Sequence, residues 1–278
     1  MSKSKIEWTE ATWNPVSGCD KISDGCKNCY AEKMAKRLQA MGTRGYENGF
    51  AVTLHPDRLD EPTKRKKPTM YFVCSMGDLF HDDVPFEFID DIFATMIHNS
   101  HHTFQILTKR PERMKQYFER PKELIEEYFP NGVTLPAPNI WLGVTAENQE
   151  QADIRIPLLL DTPAHKRFVS IEPMIGKIDL KCIINDYAGI RTQINSLTEH
   201  KSIGNADFLN IIDCQKIDWV ICGGETGVNA RPMHPHWVRS LRDQCQDTKT
   251  PFFFKQWGEW AFEMPTSYQK EPTLYMNT

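Results

Sequence analysis

The strongest constraint on this chain's fold is a recurring unit: a short apolar run, closed by polar or glycine-containing residues and usually followed by a helix-like stretch. Eight such runs occur, near 11–17 and at 50–54, 70–74, 103–107, 139–144, 167–171, 218–222 and 252–254. They are almost continuously apolar rather than alternating, as expected of parallel strands covered on both faces. Between them, the residue pattern predicts helices over 30–41, 86–99, 111–128, 147–160 and 236–247. Pro111 suits a first helical turn, where a missing N–H costs nothing. Eight strand–helix units in 278 residues predict an α/β fold, a (β/α)8 TIM-type barrel forming one domain over 1–278. A six-unit partial barrel with added strands is the near alternative, and a doubly wound open sheet the more distant one. Residues 176–216 break the rhythm. They read as an insertion between strands six and seven, either covering the barrel mouth or making a surface excursion.

Composition narrows the class. Apolar residues make up 40% and charged residues 25%, ordinary for a soluble globular chain. No apolar run approaches the ~20 residues of a membrane helix. The start, Met1 to Trp8, lacks the apolar core of a secretory signal, so the expected compartment is the cytoplasm. A net charge of −4 argues against charge-driven nucleic-acid binding over the whole surface. One basic run, Lys64-Arg65-Lys66-Lys67, reads as a solvated loop or as a phosphate-contacting patch.

In an α/β barrel the strand C-termini converge on one site. Six of the eight ends carry charged groups: Ser75 and Asp78; Thr108, Lys109 and Arg110; Thr145 and Glu147; Glu172; Glu225; Lys255 and Gln256. Together they suggest a polar pocket for a charged ligand. Of the eight cysteines, three cluster after the first run, as Cys19, Cys26 and Cys29 with spacing C-x6-C-x2-C. Gly18 and Gly25 give that loop backbone freedom. In a reducing cytosol, clustered cysteines are metal ligands or catalytic groups more often than disulfides. A [4Fe–4S] cluster is usually held by four cysteines; with three, one iron stays open as a reaction site. A structural zinc wants four closed ligands and would need Cys74, Cys222 or His81 as the fourth. The iron–sulfur reading is preferred, and metal-free catalytic thiols come last. His98, His101 and His102 read as a helix C-terminal feature on the opposite barrel face. Trp257 and Trp260 cap the barrel or stack on a base.

A loop of three cysteines after the first barrel strand resembles the radical S-adenosylmethionine superfamily. More closely, the chain resembles a phage-associated three-cysteine-motif family through Trp13-Asn14-Pro15, Gly18-Cys19, Gly25-Cys26-Lys27-Asn28-Cys29-Tyr30-Ala31, Ser75-Met76-Gly77-Asp78-Leu79-Phe80, Leu107-Thr108-Lys109-Arg110-Pro111, the stretch Leu142 to Asn148, Ser170-Ile171-Glu172-Pro173 and Gly223-Gly224-Glu225. The superfamily resemblance implies that S-adenosylmethionine binds the open iron through its amino and carboxylate groups. It is then cleaved reductively to a 5′-deoxyadenosyl radical that abstracts a substrate hydrogen, the protein supplying position and dryness. The first cysteine gap here is three residues longer than the superfamily's. Asn28 holds the place of its usual aromatic residue, and Gly223-Gly224-Glu225 follows the seventh strand where the superfamily's glycine-rich motif follows the second.

On this reading Cys19, Cys26 and Cys29 ligate the cluster. Ser75, Asp78, Thr145, Glu147, Gly223, Gly224 and Glu225 are candidates for cofactor binding, the acids toward an ammonium or ribose hydroxyls. Lys109, Glu172 and Lys255 are candidate catalytic residues. Lys109, Arg110 and Lys255 suit a carboxylate or phosphate, with Arg231 and His234 nearby in sequence. An electron donor of reductase or flavodoxin type is implied, a nucleic-acid substrate for modification or repair is suggested, and a partner protein is open; no membrane is involved. Two other functions stay open: a zinc-stabilised barrel acting as a hydrolase or partner-binding module, and an iron–sulfur nucleic-acid-binding protein without S-adenosylmethionine chemistry.

Overall fold

The computed structural model describes residues 6–121, 135, 137–187, 190–205, 208–263 and 273–276. The main sheet has seven strands: β1 (Ala11–Trp13), β4 (Met70–Val73), β5 (Thr103–Thr108), β6 (Ile140–Thr145), β7 (Lys166–Ile171), β12 (Trp219–Gly223) and β13 (Phe252–Gln256). They are hydrogen-bonded in the order β1-β4-β5-β6-β7-β12-β13. The pairings of β1 with β4, β4 with β5, β5 with β6, β7 with β12 and β12 with β13 are parallel. The α/β class expected from the sequence therefore holds, in the strand order of a partial barrel. The closed eight-strand barrel is not found among the described residues, where β1 and β13 are the two ends of the order.

The missing strand is the second apolar run. Only Thr53–Leu54 (β3) is extended there, and it pairs antiparallel with Val16–Ser17 (β2) in a separate ribbon. The reason lies at Asn14-Pro15. Pro15 has no N–H to give to a ladder, so β1 stops at Trp13 and the chain turns into β2. The Asn14 side chain then accepts from Ser75 Oγ (3.1 Å) and Met76 N (3.0 Å). β1 pairs directly with β4, leaving no slot between them.

Among the described residues, five α-helices connect the sheet: α1 (Tyr30–Ala40), α2 (Phe86–His98), α3 (Pro111–Phe118), α4 (Gln149–Asp161) and α5 (Pro235–Asp247). Each buries one stripe. In α2 it is Phe88, Ile89, Ile92, Phe93 and Met96, each side chain contributing about 1.5–3 kcal/mol of transfer free energy. The helix expected over 111–128 ends at Phe118, two residues before Arg120, whose α conformation Pro121 disfavours; residues 122–128 lie outside the described residues. The 176–216 segment contains a four-stranded antiparallel meander: β8 (Ile183–Tyr187), β9 (Ile190–Asn195), β10 (His200–Asn205) and β11 (Phe208–Asp213). A final antiparallel pair joins β14 (Trp260–Glu263) to β15 (Thr273–Met276).

The chain divides into two compact units. One comprises Met1–Ile22, Cys29–Val144 and Asp161–Arg167; the other comprises Ser23–Asn28, Thr145–Leu160 and Phe168–Thr278. In the first unit, the rows Ala11, Tyr71, Phe104, Ile140 and Trp13, Val73, Ile106, Leu142 are all at most 1% exposed. They make the dry face of its sheet.

Candidate functional site

In the first unit, Cys19 is placed by the turn before it. Gly18 takes φ +87°, donates to Met76 O (2.8 Å) and bridges Gly77, while Cys19 N donates to Phe50 O (3.2 Å). Beside the thiol stands Arg110, which sequence reading assigned to a ligand anion. Its Nη1 lies 3.2 Å from Cys19 Sγ and 3.4 Å from Asp78 Oδ2. Asp78 is the hub of this end of the sheet. Its carboxylate accepts from Thr108 Oγ1 (2.7 Å), Phe80 N (3.0 Å) and Lys109 N (3.1 Å), at 5% exposure. Burial lowers the Arg110 pKa, but the charges of Cys19 and Asp78 and their hydrogen bonds outweigh it and hold it above the usual value. Asp78 thus has protein donors on both oxygens, and Ser75 is bonded to Asn14. His81, a candidate fourth zinc ligand, accepts from Asp83 N at Nδ1 (3.1 Å), which leaves Nε2 as the donor to Asp20 Oδ2 (3.2 Å).

In the second unit, the loop carrying Cys26 is held at three points. Gly25 N donates to Glu147 Oε1 (3.1 Å), Arg231 Nη2 to Asp24 O (2.9 Å), and Asn28 Nδ2 to Asn229 O (2.9 Å). Glu147, fully buried, is charge-paired to Arg155 at 2.9 Å; the same Arg155 nitrogen also donates to Thr145 O (2.8 Å). A side chain on Gly25 would meet the Glu147 carboxylate at 2.9 Å. Sequence reading missed Arg155. Its signal was available, since it falls on the apolar stripe of α4 with Ala152, Ile156 and Leu159, where a charge needs a buried partner.

Glu225 receives a two-pronged clasp from Arg231 (Nε to Oε2, 2.9 Å; Nη2 to Oε1, 2.7 Å), with Arg231 N on Oε2 at 2.8 Å. Burial pushes this carboxyl up, but the hydrogen bonds from Arg231 and Asn28 prevail and hold it below its ordinary value of 4.5. The sign follows: Glu225 contributes stability above about pH 4.5, lost as pH falls through its depressed folded-state value. Glu225→Gln is therefore expected to be less stable than wild type at pH 7 and to converge with it in acid. A pH series of urea midpoints checks this, and a constant gap between the two would refute it.

Lys255 Nζ meets Glu172 Oε1 at 2.5 Å, each side chain 22% exposed, so two of the three candidate catalytic residues form one ion pair. Lys109, the third, lies in the other unit. Gly223 faces the Glu172 carboxylate, where a Cβ would stand 3.2 Å from its Cδ, and a Cβ on Gly224 would strike Trp257 O at 1.9 Å. These glycines make room for protein groups. His234 caps α5, accepting from His236 N, and Trp260 donates to Ala230 O. The histidine run binds backbone carbonyls, His98 that of Ala94, His101 that of Arg65 and His102 that of Pro62. Lys64, Lys66 and Lys67 are exposed.

All eight cysteines are thiols. Cys74 and Cys222 are buried as core side chains. Burial pushes the Cys74 thiol up to about 12 and the Cys222 thiol higher still, which sets both apart from the part-exposed trio. Among the described residues, no three His, Cys, Asp or Glu side chains are gathered as a metal-holding group. The donor set of the loop nonetheless fits an iron–sulfur cluster chemically: three soft, part-exposed thiols within eleven consecutive residues, with a guanidinium at the first. No helix among the described residues is long and apolar enough to cross a membrane.

No curated protein matches the chain. A solved structure of a spore photoproduct lyase mutant, with bound AdoMet and dinucleoside spore photoproduct, aligns at a TM-score of 0.38 and 11% identity over 62% of this chain. The chain spans about half (48%) of that protein's length. Family membership is firmer: residues 3–273 match the family described as "Protein of unknown function (DUF5131)", and the chain belongs to it.

Proposed function

We propose that this chain is an iron–sulfur enzyme of the radical S-adenosylmethionine type, with Cys19, Cys26 and Cys29 holding a [4Fe–4S] cluster that keeps one iron without a protein ligand. The observation that carries this reading is the cysteine loop. Its three thiols lie in eleven residues whose backbone is fastened by Gly18, Glu147, Arg231 and Asn28, with Arg110 beside Cys19. When bound, such a cluster supplies single electrons to S-adenosylmethionine at the open iron. Arg110 offsets the negative charge of the Cys19 thiolate, and Asp78 fixes the guanidinium's orientation. Glu172 and Lys255, ion-paired with each other, can each turn to a ligand group of opposite charge. A reductase or flavodoxin-type donor would deliver the electrons, and a nucleic acid is the proposed substrate.

The test is anaerobic reconstitution with iron and sulfide, then EPR of the reduced protein with and without S-adenosylmethionine. The expected result is about four irons per chain, a [4Fe–4S] signal that shifts on adding S-adenosylmethionine, and loss of that signal in Cys26→Ser. A colourless, air-stable protein with about one zinc overturns the reading. A cluster whose spectrum ignores S-adenosylmethionine removes the radical chemistry and leaves an iron–sulfur protein.

A further inference from the structure

We propose that Gln105 is the recognition group of a nucleobase site on the sheet of the first unit, separate from the cysteine loop. Thr12, Phe72, Gln105 and Trp141 are register partners across β1, β4, β5 and β6, so their side chains leave one face of the sheet as a single row. The rows on either side point to the dry face described above. In this row Thr12, Phe72 and Trp141 are part-exposed, while Gln105 is 0% exposed. Neither its Nε2 nor its Oε1 has a hydrogen-bond partner among the described residues. Buried amides are almost always hydrogen-bonded, because leaving one unpaired forfeits its hydration. An apolar residue here would fill the sheet without that loss, so the orphaned amide points to a partner that arrives from outside.

The neighbours say what kind. Adjacent strands lie ~4.8 Å apart. A flat ring standing over Gln105 would therefore have Phe72 on one side and Trp141 on the other, within the ~4.5–7 Å range of aromatic stacking. Trp8 packs against Phe72, with ring centroids 4.7 Å apart. The next residue of β6 on this face is Gly143, which brings no side chain of its own to that end of the slot. The ring's edge would meet a carboxamide N–H and C=O side by side, the pairing that glutamine makes with a base edge. The amide is closed off in this conformation, so an entering ring must displace what covers it and, arriving beside Trp141, change the surroundings of the indole.

The full chain, as purified, is titrated with the four nucleosides in one arm and with 12-nucleotide single-stranded DNA and RNA homopolymers in the other. Calorimetry and the Trp141 contribution to fluorescence, taken against Trp141→Phe, are the readouts. Binding by nucleosides assigns the site to a free nucleoside or nucleotide; binding by the strands alone assigns it to a base within nucleic acid. In either case Gln105→Leu is expected to weaken binding roughly tenfold or more while melting no lower than wild type. Should Gln105→Leu fail to fold, Gln105→Glu, which keeps the shape and loses the N–H donor, replaces it with the same expected loss. The proposal is overturned if no probe binds wild type, or if the variant binds as well as wild type. No cysteine is altered and no cluster is needed, so this outcome and that of the EPR test are read separately.

Discussion

Glu147→Ala is expected to lower the unfolding free energy by about 3–5 kcal/mol, the usual cost of removing one partner from a buried ion pair. Glu147 is 0% exposed and the Arg155 side chain 3% exposed, so the variant strands a guanidinium in the core with Thr145 O as its remaining hydrogen-bond partner among the described residues. It also releases Gly25 N, and with it one of the three points that hold the Cys26 loop. Urea unfolding at pH 7 gives the free energy, and amide exchange at Gly25 is expected to quicken in the same variant. The double variant Glu147→Leu with Arg155→Met removes both charges together and is expected to recover most of the stability, because the penalty lies in the unpaired ion. A double variant as unstable as the single one would refute that explanation. Loop exchange should stay fast in the double variant, since neither leucine nor methionine can accept from Gly25.

Gly18→Ala is expected to cost on the order of 3 kcal/mol, from two sources. The backbone at φ +87° is a left-handed conformation that a residue with a Cβ enters at about 1–2 kcal/mol. The new methyl would also lie 2.2 Å from Ala51 O and 2.7 Å from Phe50 O, both backbone atoms that cannot swing aside, and such overpacking costs about 1–3 kcal/mol. Relief requires the Phe50–Ala51 backbone to move, and Phe50 O is the acceptor for Cys19 N. The variant should therefore both unfold at lower denaturant and hold iron less well after reconstitution. Gly42→Ala is the control. Gly42 also has positive φ (+64°) but nothing within 4 Å of the added Cβ, so only the conformational part of the cost is expected there. Equal losses at the two positions would show that crowding at Gly18 is unimportant.

Legibility in the sequence divides along physical lines. Strands buried on both faces are written as unbroken apolar runs, and helices as 3.6-residue stripes. Seven of the eight runs therefore appear in the main sheet, and four of the five expected helices begin and end within two residues of where periodicity put them, the fifth stopping at Phe118. The 50–54 run misled because two extended residues look alike whether they join a parallel sheet or a two-residue ribbon; the proline at position 15, through its missing N–H, decides it. The cysteine loop was legible because Cys19, Cys26 and Cys29 are close in the chain, and closeness in sequence needs no fold to bring it about. Asp78, Glu147, Glu172 and Glu225 were legible as strand-end acids, but their partners were not.

The sequence by itself determined the α/β class, the order of strands and helices, and the three-thiol loop, because each depends on neighbours within a few residues of one another. Only the tertiary structure decided what the charged strand ends do. It set Arg110 against Cys19 and Asp78, gave Glu147 to Arg155 and Gly25, joined Glu225 to Arg231 and Glu172 to Lys255, and left the Gln105 amide, in register between Phe72 and Trp141, without a hydrogen-bond partner among the described residues. A charged or amide side chain shows in sequence only that it needs a partner. Which partner it finds depends on which backbone segments folding brings within about 3 Å, and that is set by strand register and burial across tens to hundreds of residues.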